Sequence, residues 1–339
     1  MKFDEILTKL ISGDSLDEDT AYAVMTRVMS GELTDAQIAG FLVALRVKGE
    51  SVEEIVGCAR AMRDAALPLN VEGLDTVDTC GTGGDKSGTF NVSTAAALIA
   101  AGAGLKVAKH GNRSVSSGSG SADVLEALGV KIDAPPAVVE KCIRAAGMGF
   151  LFAPVFHQAM KHAIGPRRQL GVRTIFNVLG PLTNPARARR QVIGLFSRDM
   201  LELIAEVVLR LGLQRAWVLH SEDGLDEISV CAPTEVAEVA GGRIRRFKIR
   251  PEDFKLKHDS LAALKVASPA ESAEMLRSVL SGTAGPALDI SLLNAAAVIT
   301  VAGIADDLAF ALQTARKAVE SGKARAALEK LVEVSNSPD

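Results

Sequence analysis

The segment from Asp75 to Gly102 constrains this chain more than any other. A short β-like run leads into Cys80-Gly81-Thr82-Gly83-Gly84-Asp85-Lys86-Ser87-Gly88, and Asn91-Val92-Ser93-Thr94 then opens a long alanine-rich helical run. Four glycines in eight residues exceed what one tight turn requires. Without side chains in the way, their N–H groups can approach anionic oxygens, and the positive end of the following helix attracts the same charge. Asn91, Ser93 and Thr94 can cap that helix and also offer polar contacts to a ligand. The two familiar phosphate loops do not fit. A P-loop needs Gly immediately before Lys-Ser, where Asp85 stands, and the dinucleotide pattern needs a third Gly at Lys86.

A second loop repeats the arrangement. The β-like run Leu105 to Ala108 leads into Lys109-His110-Gly111-Asn112-Arg113, then a Ser/Gly-rich stretch to Ser121, ahead of a helix from about Ala122. Such a loop by itself is a flexible, solvated connection. Lys109 and Arg113 add permanent cations, however, and ligands of open α/β sheets gather at the carboxyl ends of strands. Two anion-type loops after two neighbouring strands suggest a substrate with two separate phosphate groups. A third feature, Asp226-Glu227, follows the β-like run Arg215 to His220 and the turn Ser221 to Gly224. Adjacent carboxylates beside phosphates are how Mg²⁺ is usually held. An isolated Asp-Glu pair is an ordinary solvated loop, so the position after a strand is what makes this one a candidate.

Around these loops the first seventy residues read as helices, with capping boxes at Ser15/Glu18, Thr34/Gln37 and Ser51/Glu54. From Thr76 onward, β-like runs (Thr76 to Thr79, Leu105 to Ala108, Gln191 to Phe196, Arg215 to His220) alternate with helical ones, as in an α/β sheet with parallel strands. The segment Ile164 to Pro185 matches neither period and reads as a crossing between domains. A β-rich patch, Glu235 to Ile249, precedes helices expected to start at Ser268, Asp289 and Asp306.

With 11 Phe, one Tyr and one Trp, the core must be built from Ala, Val, Leu and Ile. The formal net charge of −3 argues against a nucleic-acid partner, and the basic stretch Arg243 to Lys257 alternates as a solvated strand face does. Apolar stretches at Ala95 to Leu105 and Ala295 to Ala305 fall short of the about 20 residues a membrane span needs. The four cysteines lack metal-site spacing, and Asp4 and Glu5 stand where a signal peptide would be basic or apolar, so a reduced cytoplasmic setting is expected. His157 and His162 are five apart, off the spacing of a helical zinc site, and Cys80 reads as a packed thiol.

Asp78-Thr79-Cys80-Gly81-Thr82-Gly83-Gly84-Asp85, Asn91 to Thr94, Lys109 to Arg113, Gly171-Val172-Arg173-Thr174 and Asn177 through Asn184 together resemble the anthranilate phosphoribosyltransferases of tryptophan biosynthesis over nearly the whole chain. The resemblance implies an α/β fold class: a small all-helical N-terminal domain (1–71 with about 168–190), used for homodimerisation, and a larger α/β domain (72–167 and 191–339) with a mainly parallel central sheet and helices on its faces. It implies an active site in the cleft between them, where anthranilate's amine displaces pyrophosphate from 5-phosphoribosyl 1-pyrophosphate.

Carried over by motif, Gly81, Gly84, Asp85, Thr89, Asn91, Val92, Ser93, Thr94, Lys109, Gly111, Asn112, Arg113, Ser117 and Ser121 bind the phosphoribosyl donor. Gly81, His110, Asn112 and Arg167 meet anthranilate, and Ser93, Asp226 and Glu227 hold Mg²⁺, with no residue assigned as general acid or base. Gly118 stands where relatives often carry Lys. Two alternatives share the fold. A pyrimidine nucleoside phosphorylase would carry a different glycine and lysine signature from Lys109-His110-Gly111-Asn112-Arg113, and a nucleic-acid-binding relative would be strongly basic.

Overall fold

The computed structural model describes residues 1–113 and 119–337. The chain opens with helices α1 (Phe3–Ile11), α2 (Glu18–Ser30), α3 (Asp35–Lys48) and α4 (Val52–Ala65). The boxes at Thr34/Gln37 and Ser51/Glu54 form as expected, each side chain bonding the other residue's amide. The first box does not form. Asp17 caps α2 by accepting from Thr20 N, because a carboxylate one residue before the helix outcompetes a hydroxyl farther upstream; Ser15 Oγ instead accepts from Lys48 Nζ at 3.1 Å.

The remainder runs β1 (Thr76–Asp78), α5 (Val92–Gly102), β2 (Lys106–Gly111), α6 (Ser121–Ala127), α7 (Pro136–Ala146), β3 (Met148–Phe152), the short α8 (Ala153–Phe156), α9 (Lys161–Leu170), α10 (Phe176–Leu182), β4 (Arg190–Gly194), α11 (Leu201–Arg210), β5 (Arg215–Ser221), β6 (Thr234–Ala240), β7 (Arg243–Ile249), α12 (Pro269–Leu280), α13 (Pro286–Val301), α14 (Leu308–Glu320) and α15 (Lys323–Ser335). Among the described residues the strands form one sheet in the order β3-β2-β1-β4-β5-β6-β7. β1 to β5 pair in parallel, and β6 and β7 extend the sheet antiparallel. The strand β3 had no counterpart in the sequence reading. The stretch Ile164 to Pro185 is largely helical, as α9 and α10; Pro166 and Pro181 lie inside these helices and blur their period. Helix α13 begins at Pro286 rather than Asp289, and Asp307 rather than Asp306 caps α14.

Two cores meet at the sheet. On one face, α5 and α13 are buried all round and pack on each other, with α7, α12, α14 and α15 outside them. The two longest apolar stretches of the sequence are therefore this helix pair, and among the described residues no helix is long and apolar enough to cross a membrane. On the other face, Ile193, Ala216, Val218, Ala237 and Val239 join α11, α10 and the N-terminal helices in one continuous apolar cluster. The edge strand β7 is covered with charge, its Arg245 pairing Glu238 and its Lys248 pairing Glu222.

Glu54 links the first helices from inside. Its carboxylate is fully buried and takes Lys48 Nζ (2.9 Å), Leu16 N (2.9 Å) and Ser51 N (2.8 Å). Removing it strands a buried ammonium and two amides. Glu54→Ala should therefore cost about 3 kcal/mol of stability, read as an earlier unfolding midpoint in denaturant. An unchanged midpoint would show that the network is dispensable.

Candidate active site

Strand order makes the site. β1 neighbours β2 on one side and β4 on the other, so the chain reverses its direction of winding between β1 and β4, and a crevice opens at their carboxyl ends. The glycine loop leaves β1 across that point. Thr82 N donates to Gly194 O at the end of β4 (2.8 Å), and a Cβ on Gly81 would lie 2.9 Å from the same oxygen. Gly194 is tighter still, for a Cβ there would overlap Asp226 O at 1.5 Å. Three backbones, from β1, β4 and the loop after β5, thus touch without side chains between them. Gly83, Gly84 and Lys86 take positive φ (63°, 78° and 62°). Lys86 is the one non-glycine of that run, a backbone cost of about 1 kcal/mol. The far end of the loop is pinned by Phe90 N to Leu264 O (2.8 Å) and Val266 N to Gly88 O (2.9 Å).

The cleft of about 990 Å³ above this point collects most of the expected residues. Gly81, Gly84, Asp85, Thr89, Asn91, Ser93, Lys109, His110, Gly111, Asn112, Arg113, Ser121, Arg167, Asp226 and Glu227 all line it. Two do not. Val92 is wholly buried in the core, and Thr94 spends both its amide and its hydroxyl on Asn91 Oδ1, the cap of α5. Arg113 reaches the cleft but is already paired with Asp123 and Glu126, so its charge is compensated. Ser117 and Gly118 lie outside the described residues.

Lys109 stands at the centre. Its side chain is 1% exposed, and Nζ donates to Thr79 Oγ1 (3.0 Å) and Ser93 Oγ (3.2 Å). Burial lowers its pKa, while Asp78, Glu227 and Asp226 pull the other way. Asp78, fully buried, is pushed up to about 6 by loss of water, against stabilising bonds from Asn184 Nδ2 (2.7 Å), Thr79 N (2.7 Å) and His110 N (3.1 Å). Asp226 faces the Asp85 carboxyl. Glu227 accepts from Ser93 N at the start of α5 (3.0 Å). Withdrawal from water raises both above the ordinary carboxylate range, and repulsion among Asp85, Asp226 and Glu227 adds to the shift. That crowding of hard oxygens against one lysine fits a divalent cation. Mg²⁺ keeps water and phosphate oxygens in its shell, so one or two protein carboxylates are enough to hold it.

The opposite wall is different in kind. Arg167 lies on α9 with its guanidinium over the Phe176 ring, 4.9 Å from the centroid, and burial lowers its pKa. Among the described residues no carboxylate pairs with it. Arg168 beside it is exposed. His110 holds its Nδ1–H on Gly180 O (3.0 Å), and the His157 ring lies 5.1 Å from the His110 ring between centroids. Burial depresses them to about 3 and about 4, so both are neutral at neutral pH, with their Nε2 atoms unpartnered.

Sequence reasoning missed His157, Arg173 and Asn294. Asn294 on α13 clamps both N–H and C=O of Ile228, the residue after Glu227, at 2.9 and 2.8 Å. No local spacing announces a residue that acts from 66 positions away. The triple backbone contact is checked by Gly194→Ala, which should destabilise the protein by about 2 kcal/mol through overpacking. The control Gly180→Ala meets open space and should leave the thermal midpoint unmoved. Equal midpoints for the two variants would refute the close approach.

Known proteins agree with this architecture. The helical-bundle domain model of the glycosyl transferase family matches residues 4–66, and the α/β domain model of that family matches residues 73–325. The anthranilate phosphoribosyltransferase of Thioalkalivibrio sulfidiphilus is 55% identical over 322 residues, 95% of either chain. Among solved structures, that of the Thermus thermophilus anthranilate phosphoribosyltransferase is 46% identical with a TM-score of 0.92, covering 98% of this chain and 99% of that one. The Saccharomyces cerevisiae enzyme, solved in complex with PRPP and Mg, is 28% identical with a TM-score of 0.91, covering 99% of this chain and 98% of that one.

Proposed function

The chain belongs to the anthranilate phosphoribosyltransferases, and we propose that the cleft at the carboxyl ends of β1, β2, β4 and β5 is where it runs their reaction. The phosphoribosyl group of 5-phosphoribosyl 1-pyrophosphate passes to the amine of anthranilate, giving N-(5-phosphoribosyl)anthranilate and pyrophosphate, the second step from chorismate to tryptophan. The observation that carries the assignment of the site is the charge division across the cleft: Lys109, the glycine loop and three crowded carboxylates on one wall, an arginine without a carboxylate partner on the other.

Displacement at the anomeric carbon builds positive charge on the ribose and negative charge on the departing pyrophosphate. The glycine loop and the Lys109 ammonium receive the donor's anionic oxygens, and the positive end of α5 adds its field although its first amides are already bonded. Ser93, Asp226 and Glu227 would hold Mg²⁺, which when bound neutralises the leaving pyrophosphate. Across the cleft, the planar fork of Arg167 suits the anthranilate carboxylate. His110, its Nδ1–H committed to Gly180, has an acceptor at Nε2 for the amine hydrogens. Neither imidazole is tuned as a strong base, so holding the two reactants in line supplies most of the acceleration.

The same reading takes the helical unit, 1–71 with about 168–190, as the dimerisation domain and 72–167 with 191–339 as the donor-binding domain. Ile11 on α1 and Val43 and Val47 on α3, all exposed on two helices that pack together, support a homodimer through that surface. Four cysteines without a disulfide support a cytoplasmic setting.

Purified protein given anthranilate, the donor and Mg²⁺ should consume anthranilate fluorescence, and a chelator should stop it. Asp226→Asn with Glu227→Gln should raise the half-saturating Mg²⁺ concentration at least tenfold. Fluorescence that stays constant, with phosphate-dependent cleavage of thymidine in its place, would sink the assignment. The acceptor wall has its own test. Arg167→Ala should raise the KM for anthranilate about tenfold or more through loss of a charged partner, with the donor KM nearly unchanged, whereas Arg168→Ala should behave as wild type. The reverse pattern would move the carboxylate site to Arg168.

A further inference from the structure

Arg173 belongs to none of the groups assigned above, yet it is built into the donor loop. It lies in the connection between α9 and α10, six positions past Arg167, and its side chain crosses to the α/β unit. There its Nη2 donates to Gly84 O at 2.6 Å, and its guanidinium lies over the Phe196 ring, 4.0 Å from the centroid. Among the described residues no carboxylate pairs with it.

The geometry points to Arg173 as a positioning residue that holds the Gly84–Asp85 peptide in its donor-receiving orientation. The inference rests on the reading of this cleft as the phosphoribosyltransferase site. In a planar trans peptide the carbonyl and the next N–H point opposite ways, and no cis bond occurs among the described residues. A donor hydrogen on Gly84 O therefore turns Asp85 N–H away from Arg173. The restraint matters because Gly83 and Gly84 adopt positive φ without the bias that a Cβ would impose, so this peptide can rotate readily. On its other side the loop tip faces the Asp226 carboxylate, so it lies between the carboxylate pair and Arg173.

The platform under the guanidinium is part of the same unit. Phe196 N donates to Thr82 Oγ1 (3.0 Å), and Thr82 N is bonded to Gly194 O. The glycine loop thus fixes the ring that carries the arginine that fixes the loop. The segment bearing Arg167, on the anthranilate wall, supplies this grip on the donor wall.

The test uses the whole enzyme and three variants. Arg173→Met keeps the contact with Phe196 but has no hydrogen to donate, Arg173→Lys keeps a donor and the charge, and Phe196→Leu keeps the arginine but removes its platform. Initial rates against donor and against anthranilate separate the effects. Arg173→Met should raise the donor KM about tenfold, the usual consequence of losing a charge-assisted hydrogen bond, with the anthranilate KM at saturating donor within about twofold. Arg173→Lys should recover most of the loss. Phe196→Leu should raise the donor KM in the same direction although no charge is removed. Unchanged donor KM in Arg173→Met overturns the inference. A donor KM that rises in Arg173→Met but not in Phe196→Leu overturns the positioning role and leaves only long-range charge. Equal loss on both substrates with a lowered thermal midpoint overturns it in favour of a merely structural part. Inactive wild-type protein would instead remove the proposed reaction.

Discussion

The buried ammonium of Lys109 is the constraint on which the site depends. A charge taken out of water is tolerated only where opposite charges and hydrogen-bond partners surround it, and this one is satisfied by Thr79, Ser93 and the nearby Asp78, Asp226 and Glu227. Those partners come from two strand ends and one helix start. Asp78 closes β1, and its oxygens also take the His110 amide from β2 and the Asn184 side chain beyond α10. Ser93 stands at the start of α5, and Asp226 and Glu227 follow β5. Satisfying one lysine therefore fixes the relative positions of the two strand-end loops and the Asp226-Glu227 pair.

Lys109 brings these side chains together; small residues let their backbones meet. Gly81 and Gly194 remove the Cβ atoms that would otherwise hold β1, β4 and the loop of Asp226 apart. The crevice of an α/β sheet at its switch point is a general property of strand order. What is particular here is that Gly81 and Gly194 put no Cβ at the crevice floor, so the glycine loop, β4 and the segment of Asp226 meet backbone to backbone. Alanine on α5 and α13 serves the same end beneath the floor, since two helices buried all round can pack closely under the sheet only with small faces.

What the sequence made legible was local. The glycine loop, Lys109 and the Asp226-Glu227 pair each follow directly on a strand, and in a parallel sheet the carboxyl ends of neighbouring strands share one edge, so residues placed there must converge. Helix starts marked by a capping pair were equally readable at Thr34 and Ser51. Legibility ended first where neighbouring residues compete for one role. Ser15 lost its helix to Asp17, and Thr94 turned inward because Asn91 claimed its polar groups. Pro166 and Pro181 masked two helices whose stability comes from packing on α2, α3 and α4 rather than from local preference. His157, Arg173 and Asn294 act on residues far along the chain, and although Arg173 stands in the Gly171 to Thr174 motif, no local spacing states which distant group each of them meets.

The two walls of the cleft solve opposite electrostatic problems with the same device, burial. On the donor wall, burial crowds carboxylates until their charged forms are unfavourable, which makes the wall receptive to cations and leaves the glycine loop and Lys109 to meet anions. On the opposite wall, burial strips charge from His110 and His157, while Arg167 keeps its guanidinium over Phe176 with no carboxylate partner among the described residues. In the proposed reading an aromatic amine lies beside imidazoles that burial keeps neutral, so neither His110 nor His157 would protonate its lone pair. The one deeply buried ammonium, Lys109, is held on the other side by Thr79 and Ser93, and burial thereby separates a region that keeps a cation from one that sheds it.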